Sequence, residues 1–296
     1  YAPINNEYFV IYPFKLEGGK TIPISEVFFR ENYPSCFEYL LQFKEELVNK
    51  KIHKKTNPNY WYSLHRSRNK SLFEQTKIIT PETSLGGNLT IDRNCYFHNT
   101  QVYLLIKKDN IQEDYRFWLS ILNSSIFWFY LKETGAVLRG GYFRFKTKYL
   151  EPFPLPKLNS LDDEIPYVEH VESLINFNEK LYSINKKFIK YFTFTYAFEK
   201  TSRKLENWYE LSFADFIKEL TKAINATNKI RSKEGKTAIA ELTKTDEFEW
   251  MELFESKKQE AQQLQQQIKQ TEQEINQMVY KLYDLTDAEI AIIEAS

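Results

Sequence analysis

Glycine is scarce in this 296-residue chain, and its eight glycines stand at positions 18, 19, 86, 87, 135, 140, 141 and 235. None makes the Gly-x-Gly of a dinucleotide or S-adenosylmethionine loop, and there is no P-loop and no Gly-x-Ser-x-Gly. Cysteine is scarcer still: Cys36 and Cys95 exclude a disulfide-stapled secreted scaffold and fit a reducing, cytoplasmic setting. With four histidines at 53, 65, 98 and 170, they form no metal-ligand spacing. Long apolar runs are absent too. The longest, Ile121–Leu131, is interrupted by Asn123, Ser124 and Ser125 and is too short to cross a bilayer. Net charge is zero, with 40 basic and 40 acidic residues, so total charge names no partner. The chain opens on Tyr1 and reads as an excised piece of a longer polypeptide.

Aromatics are abundant, with 23 Phe, 20 Tyr and 5 Trp, and the charge is unevenly placed. Residues 1–157 hold 22 Lys+Arg against 15 Asp+Glu, and residues 158–296 hold 18 against 25. A basic, aromatic first half points to an anionic partner; the acidic second half reads as helical.

In the first half, Tyr8–Tyr12 and Lys77–Thr80 read as strands, as do Asn94–Phe97 and Gln101–Lys107. Pro34 opens a helix expected to reach Lys51, and Tyr115–Lys132 reads as one buried helix. Tyr142–Phe145 reads as a short strand after the Arg139-Gly140-Gly141 turn. In the second half, helices are expected over 168–192 and 211–230, with a loop over 229–236. A third, over 247–283, carries an apolar seam at alternating steps of four and three: Trp250, Phe254, Lys257, Ala261, Leu264, Ile268, Thr271, Ile275, Met278 and Leu282. The two longest helices are expected to pair as an antiparallel hairpin. The fold class is therefore α+β, with a mixed α/β domain over 1–157 and a helical region over 158–296.

Two basic clusters are candidate DNA contacts. Residues 50–70 contain no acid; Lys54, Lys55, Arg66, Arg68 and Lys70 are interleaved there with Trp61, Tyr62 and His65. Lysines and arginines neutralise phosphates, arginine reads guanine edges, and rings stack on exposed bases. A solvated lysine-rich loop is the plainer alternative. The second cluster, Arg139, Arg144, Lys146 and Lys148, surrounds Gly140-Gly141, where the backbone can approach a ligand closely. An exposed tight turn explains the same residues. Asn57-Pro58-Asn59-Tyr60 is near the Asp/Asn/Ser-Pro-Pro-aromatic loop of adenine-N6 methyltransferases. Asn59 replaces the second proline, however, and the cofactor loop is missing, so no catalytic residue is assigned.

Three blocks carry a family resemblance. They are Leu122-Asn123-Ser124-Ser125-Ile126-Phe127-Trp128-Phe129-Tyr130-Leu131, then Arg139–Lys146, then Tyr149-Leu150-Glu151-Pro152-Phe153-Pro154-Leu155-Pro156. Trp61-Tyr62-Ser63-Leu64-His65-Arg66 followed by Lys77-Ile78-Ile79, and Asn32-Tyr33-Pro34 to Leu47, belong with them. Together these resemble the TaqI-like C-terminal specificity domain, the target recognition domain of adenine-N6 DNA methyltransferases and type IIG restriction–modification enzymes. Met278–Glu294 resembles the end of type IIG chains. The resemblance implies a module that binds duplex DNA and presents the target adenine. S-adenosylmethionine, and Mg where a nuclease is present, would belong to domains N-terminal to it. It also marks 193–245 as an insertion of about fifty residues between the two long helices. The alternative is a helical spacer or dimerisation module whose basic half only anchors to DNA or to the methyltransferase domain.

Overall fold

The computed structural model describes residues 1, 3–4, 8–49, 60–64, 68–198 and 201–296. It divides into two compact units. One comprises residues 4–83 and 91–111; the other comprises 1–3, 84–90 and 112–296. Residues 112–157 thus group with the helical region.

The smaller unit opens with a hairpin, β1 (Phe14–Glu17) and β2 (Lys20–Pro23), paired Phe14 to Pro23 and Glu17 to Lys20. Gly18 and Gly19 have φ of 56° and 74°, as a type I′ turn requires at both central positions. The strand thus lies after Pro13, not at Tyr8–Tyr12. The glycine pair sets where the two strands meet, and this outweighs the β-branched run before the proline. Three helices follow: α1 (Glu26–Asn32), α2 (Pro34–Leu41) and α3 (Lys44–Asn49). Ser25 caps α1 by accepting from the Phe28 N–H. The helix expected to run unbroken from Pro34 is interrupted at Gln42-Phe43.

After α4 (Lys70–Phe73), a three-stranded sheet forms in the order β4 (Thr90–Asp92), β3 (Lys77–Pro81), β5 (Val102–Leu105). β3 and β5 are antiparallel, with Ile78 opposite Leu105. Asn94–Phe97 is a loop rather than the expected strand, and the cause is a fully buried ion pair between Lys77 and Asp92. Lys77 Nζ also donates to the Phe73 carbonyl at 2.7 Å. The Asp92 carboxylate accepts from the Asn94 and Tyr96 N–H groups, each at 2.9 Å, which folds the chain over it. Cys95, between them, has φ of 58°.

The larger unit is built on two long helices, α8 (Ile165–Thr195) and α11 (Lys244–Leu282). They run antiparallel. Tyr167 donates to the Met278 carbonyl at one end, and the rings of Tyr191 and Trp250 lie 5.5 Å apart at the other. From the seam, Trp250, Phe254, Ala261, Leu264, Thr271 and Ile275 are buried, while Ile268 and Met278 are half-buried. Val171, Leu174, Phe188 and Phe192 are buried on α8. The expected hairpin is the observed one.

Near the Tyr167 end, α5 (Tyr115–Leu122) packs on α8, and α6 (Ser125–Thr134) follows. The single helix expected over 115–132 is two, because Ser124 caps a new start and Asn123 bonds both the N–H and the carbonyl of Leu89. Arg116 ties α5 to α8: it bonds Asp114, which raises its pKa, and reaches Glu172 at 3.1 Å. A four-residue helix, α7 (Thr147–Leu150), comes next. At the far end, α9 (Arg203–Glu206) and α10 (Phe213–Lys233) close an aromatic core with Phe188, Phe192, Trp208, Phe216, Trp250 and Phe254. α10 runs on to Lys233, three residues beyond its expected end, and the turn follows at Gly235, with φ of 69°. α12 (Asp287–Ala295) starts at a Thr286–Glu289 capping box.

Candidate nucleic-acid interface

The first basic cluster falls into two parts. Lys54, Lys55, His65 and Arg66 lie outside the described residues, as do Asn57, Pro58 and Asn59. Trp61 and Tyr62 are interior, packed with Ile24, Phe29 and Phe37. Trp61 Nε1 donates to Glu26 at 3.1 Å, and the Tyr62 hydroxyl donates to the Ile24 carbonyl at 2.6 Å. Burial pushes the Tyr62 phenol up to about 12. These rings offer no face to a base, so the stacking expected of them is corrected to a supporting role. An aromatic beside a lysine run reads the same in sequence whether it stacks on a ligand or anchors the run.

Arg68 is half-buried, and its backbone N–H and carbonyl both bond the Tyr12 hydroxyl. The Lys70 N–H donates to Thr21 at 2.9 Å, and its ammonium lies 3.2 Å from Glu74. Segments 60–64 and 68–70, on either side of Arg66, are thus fixed to the unit's core.

The second cluster sits in the larger unit on a tight turn. The Gly141 N–H donates to the Leu138 carbonyl, the Leu138 N–H to Tyr142, and the Arg144 N–H to Ala136. Gly140 and Gly141 have φ of 88° and 79°, which side-chain-bearing residues rarely adopt. A Cβ on Gly140 would meet the Tyr142 ring at 3.5 Å. Arg139 is thereby placed at the exposed tip, flanked by exposed Val137 and Tyr142.

Phe143 and Phe145 both lie against Trp128 of α6, with centroids 5.1 and 6.4 Å away. In an extended segment alternate side chains share a face, which puts Arg144 and Lys146 on the other one. Arg144 is half-buried, and its Nε has no hydrogen-bond partner among the described residues. Lys148 lies 4.5 Å over the Tyr149 ring. Among the described residues, no ion pair engages Arg139, Lys146 or Lys148. Four cations thus fall within ten residues, two of them on a segment backed by Trp128, and such side chains can neutralise phosphates. Among the described residues, no group of three His, Cys, Asp or Glu is arranged to hold a metal ion. No helix there is long and apolar enough to cross a membrane.

Comparison with known proteins reaches over this glycine turn and the aromatics that back it. Residues 32–155 match the TaqI-like C-terminal specificity domain. The resemblance read from the Leu122–Leu131, Arg139–Lys146 and Tyr149–Pro156 blocks is borne out. A second family model, described as a domain of unknown function (DUF8810), matches residues 160–279. Among curated proteins, the type II restriction enzyme and methyltransferase RM.Eco57I of Escherichia coli is 27% identical over 196 residues, 63% of this chain and 20% of that protein. The type II methyltransferase M.BstVI of Geobacillus stearothermophilus is 26% identical over 156 residues, 52% of this chain and 26% of that protein. The chain therefore spans a fifth to a quarter of the length of these relatives. The 193–245 segment, read as an insertion between the two long helices, lies inside the second family match.

Proposed function

We propose that the chain is the DNA-specificity module of an adenine-N6 methyltransferase or restriction–modification enzyme. It binds duplex DNA and presents the target adenine to a methyltransferase domain of the same parent protein. The observation that carries this reading is the specificity-domain match over 32–155, within which the cationic turn Arg139–Lys148 is presented on a fixed scaffold. S-adenosylmethionine, and any nuclease Mg, belong to the parent's other domains, and the setting is the cytoplasm. The boundary at 157/158 separates roles: recognition before it and a helical spacer after it.

Phosphate contacts from Arg139, Arg144, Lys146, Lys148, Lys54, Lys55 and Lys70 would position the duplex without reading it. Arg66 and Arg68 are the candidates for reading a base edge, each such contact contributing roughly 1–3 kcal/mol of discrimination. The alternative of dimerisation through the heptad seam is disfavoured, because α8 already covers that seam.

The test is selection by the purified chain from a pool of randomised duplexes. Enrichment of one sequence containing an adenine, lost on Arg66→Ala or Arg68→Ala, supports the reading. Recovery of the pool without enrichment refutes it.

A further inference from the structure

The helical region is acidic as a whole, with 25 Asp+Glu against 18 Lys+Arg over 158–296. One stretch departs from that balance. From Phe216 to its end, α10 carries Lys218, Lys222, Lys229, Arg231 and Lys233 against Glu219 alone. At 100° per residue, Lys218, Lys222, Lys229 and Lys233 fall within about 60° of one another. All four are exposed. Their steps of four, seven and four residues rise by about 6, 10 and 6 Å, a line of charge about 22 Å long. Asn225 and Ala226, exposed between them, are short and neutral and leave the line open to close approach.

Carboxylates do not cancel this stripe. Glu219 Oε1 lies 2.8 Å from Lys222 and 3.6 Å from Lys204, so one acid is shared by two lysines. Asp215, at the head of the same face, is tied into the helix cap by Ser212 at 2.7 Å. Among the described residues, Lys218, Lys229 and Lys233 are engaged in no ion pair. A helix dipole attracts lysines to the last turn, which accounts for Lys233. It gives nothing to Lys218 and Lys222, which lie in the N-terminal half. The stripe is also firmly mounted. The opposite face of α10 buries Phe216, Leu220 and Ile224, and Phe216 stacks on Phe254 at 4.8 Å. A straight row of cations suits an extended polyanion better than a small anion, and duplex DNA presents one negative charge per about 1.7 Å of its axis.

We propose that the α10 lysine stripe is a second, sequence-independent contact to the DNA backbone, separate from the Arg139–Lys148 turn. This rests on the DNA-recognition reading above. The stripe adds affinity through counterion release and no base discrimination.

The experiment is a salt titration of the full chain on one labelled duplex, with Lys218→Gln, Lys229→Gln and Lys233→Gln combined. Lys222 is left in place so that Glu219 keeps its nearest partner. Loss of three phosphate contacts should make the slope of log K against log salt shallower by about 2.7, and weaken binding at 0.1 M salt by roughly 100-fold or more. The same three positions changed to Arg should restore both, and the melting temperature of each triple should match the parent chain. A second chain carries Arg139→Ala, Lys146→Ala and Lys148→Ala. If the glutamine triple keeps the full slope while this second chain loses it, the stripe proposal is overturned and the recognition reading stands. If only the glutamine triple loses slope, the stripe stands and the turn loses its assignment. Loss of polyglutamate binding by the glutamine triple, with duplex binding unchanged, would identify an acidic protein partner and overturn the DNA proposal.

Discussion

Replacing Asp92 with alanine should destabilise the smaller unit more than any other single change to a polar residue described in it. The Lys77 ammonium is fully buried, and Asp92 is its one carboxylate partner among the described residues. Removing one member of a buried pair leaves an uncompensated charge, at a cost of about 3–5 kcal/mol. Asp92 also accepts from the half-buried Asn94 and Tyr96 N–H groups, and losing each of these charge-assisted bonds adds up to about 1 kcal/mol where water takes its place. Asp92→Asn keeps an acceptor oxygen but loses the charge, so it should fall between parent and alanine. The paired change Lys77→Met with Asp92→Leu removes both charges. It should recover most of the first cost and none of the second. The assay is hydrogen exchange followed by mass spectrometry over 73–81 and 92–98, alongside urea unfolding of each variant. Loss of protection confined to 92–98, with under about 1 kcal/mol of global change for Asp92→Ala, would refute the claim that the pair anchors the sheet.

Along the seam, Ile275 is nearly inaccessible whereas Ile268 is half-buried. Ile275→Asp should therefore cost about 3 kcal/mol or more and Ile268→Asp distinctly less; equal melting curves for the two would contradict the packing of α8 on α11. The Glu219 carboxyl is held below its ordinary range by the hydrogen bond from Lys222, with Lys204 adding to the effect. A depressed folded pKa contributes stability that is present above the unfolded value, near 4.5, and is lost as pH falls through the folded one. Stability measured from pH 6 down to pH 3 should thus fall less steeply in Lys222→Met than in the parent chain, and identical profiles would sink the assignment.

The helical half was the most legible in sequence, because a four-three apolar seam needs a partner helix; the Thr243 cap, which starts α11 at Lys244 rather than 247, was not. The break at Asn123-Ser124 was visible as residues but not as structure. Its cause is Asn123 meeting the Leu89 backbone, 34 positions away. The Lys77–Asp92 pair was unreadable for the same reason: nothing local says that a lysine opening a strand will meet an aspartate in the interior. In the candidate interface, Gly140-Gly141 announced the turn that presents Arg139. The interior position of Trp61 and Tyr62 was not announced, since its reason lies in Ile24, Glu26, Phe29 and Phe37. The α10 stripe is not legible in sequence, because residues 229–236 read as a loop, which hides the alignment of Lys229 and Lys233 with Lys218 and Lys222.

The most direct test of the central claim, that the cationic surfaces of this chain grip a DNA backbone, is the salt dependence of its binding to a random duplex. If about four phosphates are neutralised, log K against log salt should fall with a slope near −3.6, steeper with each further contact. Replacing Lys54 and Lys55 by alanine should make it shallower by up to about two units, equally on every sequence. A slope near zero, or an unchanged slope after loss of Lys54, Lys55, Arg66, Arg68 and Lys70 together with Arg139, Arg144, Lys146 and Lys148, would contradict the account.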